Sequence, residues 1–325
     1  METSGTGYIS RPMRAVTIRD GGLVIEEHPD PPPGLGQILV RVRGAGLNGA
    51  DMLQRRGAYP APPGDPQDIP GLELAGEVAE AGPGVRRFSE GDRVMAVVGG
   101  GGQAELAVVH ERAAMPVPER LDWAQAGGFP EVFTTAHDAI FTQAGLRPGE
   151  HLLVHGAAGG VGTAAVQIAK AAGARVTATV RREELRADVE ALGARVIAPE
   201  GYGEHGPYDV ILELVGASNL GENIESLALG GRISVIGVGG TGPAGDINLA
   251  RLMYKRGRIH GSTLRSRPLE EKAQAARLVE HEVLPQVESG AVSVPVAATF
   301  TLDEAEEAYE RFTAGGKLGK IVLLP

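Results

Sequence analysis

The sequence predicts an α/β protein in which a small β-rich part precedes a doubly wound parallel sheet of six strands. Three observations carry that expectation. Short apolar runs broken by Pro and Gly fill the chain from Met13 to about Thr135. From Glu150 to about Arg265, strand-like runs alternate with amphipathic helical segments, as they do where parallel strands are joined by crossover helices. The first of those runs leads into a Gly-rich turn and a helix, HLLVHGAAGGVGTAAVQIAKAAG, the unit on which a dinucleotide phosphate sits.

Each element can be justified in order. MRAVTI, LVIEE and QILVRVRGAGL read as strands, DPPPGLG as a turn and PAPPGDPQDIPG as a Pro-rich loop. ELAGEVAEAG, DRVMAVV and AELAVV are further strands joined by Gly turns. LDWAQAGGFPEVFTTAHDAIFTQAG has apolar residues at helical spacing, and RPGE turns into the next strand. HLLVHG, RVTATV, ARVIAP, DVILELVG, RISVIGV and RIHGSTL are the six expected parallel strands. The helices VGTAAVQIAKAAG, EELRADVEALGA and NIESLAL lie among them. PLEEKAQAARLVEHEVLPQVESG is a long helical stretch leading to VAATFTL, and the helix DEAEEAYERFTAG precedes the apolar strand KIVLLP, which is expected to return to the first part. There is no internal repeat.

Composition narrows the function classes. A chain of 325 residues suits one large domain or two ordinary ones, and 42% hydrophobic residues can build a real core. The net charge of −10 disfavours nonspecific attraction to nucleic acid or anionic membrane. Cysteine is absent, which removes disulfides, thiolate nucleophiles and cysteine-based zinc or iron–sulfur sites. No apolar run approaches the length of a membrane-spanning helix. The first twelve residues, METSGTGYISRP, lack a signal-peptide core and read as a flexible leader, so the cytoplasm is the expected location.

The turn at residues 156–162 reads Ala157-x-Gly159-x-x-Gly162 with an additional Gly160. Glycines let the backbone turn tightly and admit the pyrophosphate, and the helix start then offers free N–H groups and partial positive charge. The second strand of the unit ends at Val180, followed by Arg181 and Arg182. NAD-binding sheets place an acid near this tip for the ribose 2′-OH. Here two guanidiniums stand ready for a 2′-phosphate, so NADPH is the expected cofactor. The alternative is that they are solvated helix-start residues paired with Glu183 and Glu184.

Several segments resemble the medium-chain dehydrogenase/reductase superfamily, specifically its zinc-free quinone oxidoreductase, zeta-crystallin-like branch. They are GLNGADMLQRRGAYP, IPGLELAGEVAEAGPGV, GDRVMAV, GGGGQAELAVV, HGAAGGVGTAAVQIAK and GKIVLLP, in family order, with KRG and LRSR at residues 255–257 and 264–267. The resemblance implies a GroES-like β-rich catalytic domain in residues 1–134, a Rossmann domain in 135–267 and a return to the catalytic domain in 268–325. The active site would lie in the cleft between them. It further implies a homodimer paired through the edge strand RIHGSTL. Zinc enzymes of this superfamily carry Cys in GxCxxD and His in GHExxG, whereas this chain has Asn48 and Leu72 there, so no metal is expected.

The resemblance also assigns site residues. Asn48 matches the position beside nicotinamide and substrate, and Tyr59 a tyrosine of the acceptor cleft; these two are the candidate catalytic residues. An Asx turn and loop packing are their respective structural alternatives. Thr135 matches a cofactor contact at the domain junction, and Ala158, Gly159, Gly160, Val161 and Gly162 the pyrophosphate turn. Val215, Gly216, Ile236 and Gly237 end the fourth and fifth strands, where ligands sit in open parallel sheets. Leu264, Ser266 and Arg267 match the segment lining the nicotinamide side, and Lys320 a Gly-Lys motif near the C-terminus. Related quinone reductases bind the 2′-phosphate with a Lys and a Tyr whose positions fall near Leu185 and Pro199 here, so that contact passes to Arg181 and Arg182.

Oxidising an alcohol calls for a Lewis acid at neutral pH, whereas a quinone or conjugated carbonyl accepts hydride directly. The expected activity is therefore NADPH-dependent quinone reduction without metal. The alternatives are an alkenal or enone double-bond reductase on the same scaffold and a non-catalytic, crystallin-like NADPH-binding protein.

Overall fold

The computed structural model describes residues 12–325; the rest of the stretch read as a leader lies outside the described residues. A seven-stranded sheet and a six-stranded parallel sheet form the framework. In the first, the strands run Val296–Thr301, Lys320–Leu324, Gln37–Gly46, Glu73–Ala81, Arg93–Val97 and Ala114–Pro116, with Leu106–His110 also pairing with Gln37–Gly46. A hairpin of Met13–Arg19 and Gly22–His28 packs beside it. The C-terminal strand Lys320–Leu324 pairs antiparallel with Gln37–Gly46, so the chain does return to the β-rich body where it began. Its burial is nearly complete along its length, as its run of Ile and Leu requires.

The second sheet has the order Arg195–Ile197, Arg175–Thr179, His151–Val154, Tyr208–Glu213, Leu227–Val235 and Arg258–Gly261, all parallel. Numbered along the chain this is 3-2-1-4-5-6, the order whose reversal between strands 1 and 4 opens a crevice for a dinucleotide. His151–Val154 is central and buried at every residue, which explains its lack of polar alternation. The helices Pro130–His137 and Gly160–Ala171 share with this sheet one core that includes Phe129, Phe133, Ile140, Leu152, Val154, Ile168 and Leu212. The Phe129 and Phe133 rings stack with centroids 4.3 Å apart.

Two segments are divided differently from the sequence reading. The stretch NIESLAL is helical only as far as Ser226; Leu227 is extended and opens the next strand, paired with Tyr208. Burial of Leu227 with Tyr208 and Ile233 outweighs its helix propensity. The long helical stretch after Pro268 is two helices, Leu269–Glu282 and Leu284–Glu288, because Pro285 has no N–H with which to continue the first. No helix among the described residues is long and apolar enough to cross a membrane.

Candidate active site

The Gly-rich turn leaves the carboxyl end of the central strand His151–Val154 and enters helix Gly160–Ala171. Gly156 has φ +63°, a left-handed conformation that a Cβ would strain. A Cβ on Gly162 would fall 2.5 Å from the Ala157 Cα, so this glycine sets how closely helix and strand pack. The helix starts without a side-chain cap and without an acid in its first turn, leaving its N–H groups free for an anion. Ala158, Gly159, Gly160 and Val161 are partly exposed along that turn. These features fit a dinucleotide pyrophosphate. The C-terminal return clasps the same turn: the Gly319 N–H donates to the Ala158 carbonyl over 2.9 Å, and Gly159 bridges to Gly319.

At the tip of the second strand, Arg181 and Arg182 are exposed. Arg182 meets Glu184 at 3.3 Å on the surface, a pair worth at most about 1 kcal/mol, so its guanidinium is readily given to a phosphate. A Cβ on Gly316 would come within 2.9 Å of the Arg182 Cζ, so the loop before the last strand passes directly over it. Lys317, in that loop, lies 4.2 Å from the centre of the Phe312 ring, and burial beside Lys320 and Arg311 lowers its ammonium to about 8. Arg186, not expected to contribute, donates to the Val180 carbonyl at this tip.

The loops after the fourth and fifth strands hang on one buried carboxylate. Glu213 accepts from the Val215 and Gly216 N–H groups at 2.7 and 2.9 Å and from Asn219 and Asn223 at 3.1 and 2.9 Å. The Ile236 and Gly237 N–H groups donate to its backbone carbonyl. His155 sits behind, bonded to Asn223 and Thr179, and burial holds it below the ordinary histidine value against the pull of Glu213. The sheet thus fixes Val215, Gly216, Ile236 and Gly237 along the crevice.

Beside the Gly-rich turn, residues from four remote segments converge. The Asn48 N–H donates to Asp51 at 2.7 Å, which starts helix Gly49–Arg55. The Asn48 side chain donates to Glu73 at 2.9 Å and accepts from the Lys320 ammonium at 2.7 Å. Lys320 also bridges Glu73 at 2.6 Å and donates to the Leu47 carbonyl at 2.7 Å. Glu73 accepts, through its other oxygen, from the Glu131 N–H at 2.8 Å, and Glu131 takes the Thr135 hydroxyl at 3.0 Å. Burial pushes Asp51 up to about 7 against the pull of the Asn48 N–H and Lys320. Burial and the neighbouring Glu73 carboxylate push Glu131 to about 7 as well. A Cβ on Gly160 would meet Val132 and Lys320 at 2.8 and 2.9 Å, so this cluster abuts the phosphate turn.

The structure therefore brings Asn48, Thr135, Gly160 and Lys320 into one group. Among the described residues no group of His, Asp and Glu is arranged to hold a metal ion. The Lys320 ammonium contacts both Asn48 and Glu73, which also bond to each other, and Leu72 offers no donor.

Tyr59 is positioned by a residue that the sequence did not single out. Arg265, almost fully buried, donates to the carbonyls of Tyr59 and Gly99 at 2.9 and 2.7 Å, bonds to Gln54, and stacks 5.1 Å from the Tyr59 ring centre. Leu264 is buried next to it and Ser266 is exposed, whereas Arg267 is committed to Asp138 at 2.7 Å and to Ser262. Replacing Arg265 by Met should raise the KM for the substrate while leaving affinity for the nicotinamide cofactor unchanged. It should also cost about 1–3 kcal/mol through the unpaired carbonyls. Steady-state kinetics and urea unfolding check both.

Sequence reasoning missed Asp51, Glu73 and Glu131 for a plain reason. The first two lie inside the motifs inspected for cysteine and histidine, and Glu131 follows Pro130 at a helix start, where an acid is unremarkable. The signal for Asp51 and Glu73 was the acid that the GxCxxD and GHExxG patterns themselves carry, whereas Glu131 had none.

Comparison with known proteins agrees with this geometry. Residues 34–119 match the alcohol dehydrogenase GroES-like domain family, and residues 160–281 the family described as zinc-binding dehydrogenase. The chain is 34% identical to the quinone oxidoreductase of Rattus norvegicus over 307 residues, covering 90% of this chain and 91% of that protein. It is 31% identical to the acryloyl-coenzyme A reductase of Metallosphaera sedula, covering 96% and 99%. A crystal structure of an NAD-dependent alcohol dehydrogenase superposes with a TM-score of 0.85 at 30% identity, covering 96% of this chain and all of that one.

Proposed function

The chain belongs to the medium-chain dehydrogenase/reductase superfamily, and on that premise we propose that this oxidoreductase is an NADPH-dependent quinone reductase working without a metal. The observation that carries the reading is the occupation of the catalytic cluster by Lys320, Asn48 and Glu73 in place of a metal-binding set. Such a site cannot ionise an alcohol through a Lewis acid, but it can hold an acceptor that is already electrophilic. A reduced nicotinamide, when bound, supplies the hydride. The protein's part is orientation and exclusion of water. The Gly-rich turn and helix start hold the pyrophosphate, the Glu213-braced loops line the crevice, Asn48 borders the reacting end, and Tyr59 with Arg265 walls the acceptor side.

A panel of quinones, 2-alkenals and enoyl-CoA esters assayed with NADPH tests the reading. Quinones should give the highest kcat/KM, and a protein that turned over only enoyl thioesters would overturn it. That second reading is favoured by the likeness to acryloyl-coenzyme A reductase. Prolonged dialysis against a chelator should leave turnover unchanged, with zinc absent from the purified protein by elemental analysis; lost activity restored by zinc would refute metal independence.

We assign the NADPH preference to Arg181 and Arg182, which stand at the second strand's tip where an NAD enzyme carries an acid. Arg181→Ala/Arg182→Ala should lower the NADPH-to-NADH ratio of kcat/KM by about a hundredfold, the loss of two charge-assisted contacts. Steady-state kinetics with both cofactors decides it, and an unchanged ratio would remove the clamp. The same reading includes a homodimer through the edge strand Arg258–Gly261. Exposed Leu249, Met253 and Tyr254 on helix Leu249–Lys255, next in sequence to that edge, support it.

A further inference from the structure

An acceptor that gains a hydride also needs a proton, and the cluster beside the phosphate turn holds more acid than its single cation balances. Asp51, Glu73 and Glu131 lie together with one ammonium, Lys320. The three carboxyls differ in what binds them. Asp51 has no exposed surface, and its two oxygens are taken by the Asn48 and Gly71 N–H groups. Glu73 is equally buried and is shared among Lys320, Asn48 and the Glu131 N–H. Glu131 is half-buried, and its carboxyl is bonded to a hydroxyl, that of Thr135 one helical turn on. A Cβ on Gly160 would meet the neighbouring Val132 at 2.8 Å, which puts Glu131 close to the start of the helix that follows the dinucleotide turn.

We propose that Glu131, acting through the Thr135 hydroxyl, delivers the proton that completes reduction of the acceptor, an inference that rests on the reductase reading above. The hydroxyl hydrogen is free to rotate, so the 3.0 Å contact serves in either direction. With Glu131 protonated, its carboxyl donates to Thr135. Hydride addition places an electron pair on the acceptor oxygen. That oxygen takes the Thr135 hydroxyl proton while the Glu131 O–H bond breaks and its proton replaces the one lost from Thr135. The electron pair of that bond stays on the carboxylate, and water from the cleft reprotonates it. Burial and the Glu73 and Asp51 carboxylates raise Glu131 to about 7, against Lys320 and Thr135, so a proton is available at neutral pH.

Glu131→Gln tests the assignment, because glutamine keeps an acceptor oxygen for Thr135 and removes the acid. In the cofactor-free wild type, infrared spectroscopy should show two carboxyl groups titrating near neutral pH, and the variant should show one. Wild-type turnover should fall as pH rises through about 7. In the variant it should be about 100-fold lower and lack that fall, with NADPH affinity by fluorescence titration retained. Thr135→Val should share the lowered turnover and the missing fall with pH, and Thr135→Ser should recover both. Wild-type turnover with a wild-type pH profile in Glu131→Gln overturns the proposal. So does Tyr59→Phe abolishing the pH dependence that Glu131→Gln leaves intact, and so does a wild type without the second titrating carboxyl. Failure of the reductase reading looks different: the wild type then reduces no quinone or enone, while the infrared titration still reports on Glu131.

Discussion

Lys320→Met is expected to destabilise the protein by about 3–5 kcal/mol and to abolish measurable reduction. The ammonium, almost fully buried, is held by the Leu47 carbonyl, Asn48 and Glu73, and none of the three can turn to water when it is lost. Methionine has a similar reach and fills the space against Gly160, so the loss reflects charge rather than a cavity. Glu73 would be left as a buried carboxylate beside Asp51 and Glu131 with its cation gone. The double variant Lys320→Met/Glu73→Gln should therefore recover part of the stability lost by the single one, which urea unfolding of the four members of the cycle measures. Additive losses would mean that the pair is not coupled.

The second large effect is expected at Gly162. An alanine there puts its Cβ 2.5 Å from the Ala157 Cα, with further backbone atoms of Ala157 at 2.8 Å, and backbone cannot swing aside as a side chain can. Helix Gly160–Ala171 must then move away from strand His151–Val154, tilting the N–H groups that face the phosphates. Overpacking of this kind costs about 1–3 kcal/mol, and a shift of about 1 Å in the bound geometry costs about a hundredfold in turnover. Fluorescence titration with NADPH and kcat measurement check it, against Gly221→Ala as a control. Gly221 lies in a helix with nothing within 4 Å of its added carbon, so that change should be neutral or stabilising.

What the chain revealed before folding was local. The parallel sheet and the phosphate turn were legible because each strand, turn and helix is written contiguously, and the glycines at 156, 159 and 162 sit in one stretch. The Leu227 strand start was not legible, since only the distant Tyr208 decides it. The cluster around Lys320 was half legible. Asn48 and Lys320 were singled out through their motifs, but the carboxyls beside them gain their character from being brought together, and burial raises Asp51 and Glu131 only once the chain is folded. Arg265 was passed over between Leu264 and Ser266, because its partners Gly99, Tyr59 and Gln54 lie in the other body of the molecule.

The clasp between the C-terminal strand and the two parts of the site that precede it in the chain has a consequence in time. Lys320 meets Leu47 across 273 positions of sequence, and Gly319 reaches back to Ala158. Contacts of such separation are the slowest to form, since the intervening loop must close before they repay it. During refolding the helices and the parallel sheet should return first, with the ability to change the fluorescence of a reduced nicotinamide cofactor arriving last. Nucleotide binding then reports completion of the whole chain, and a half-built molecule stays catalytically silent.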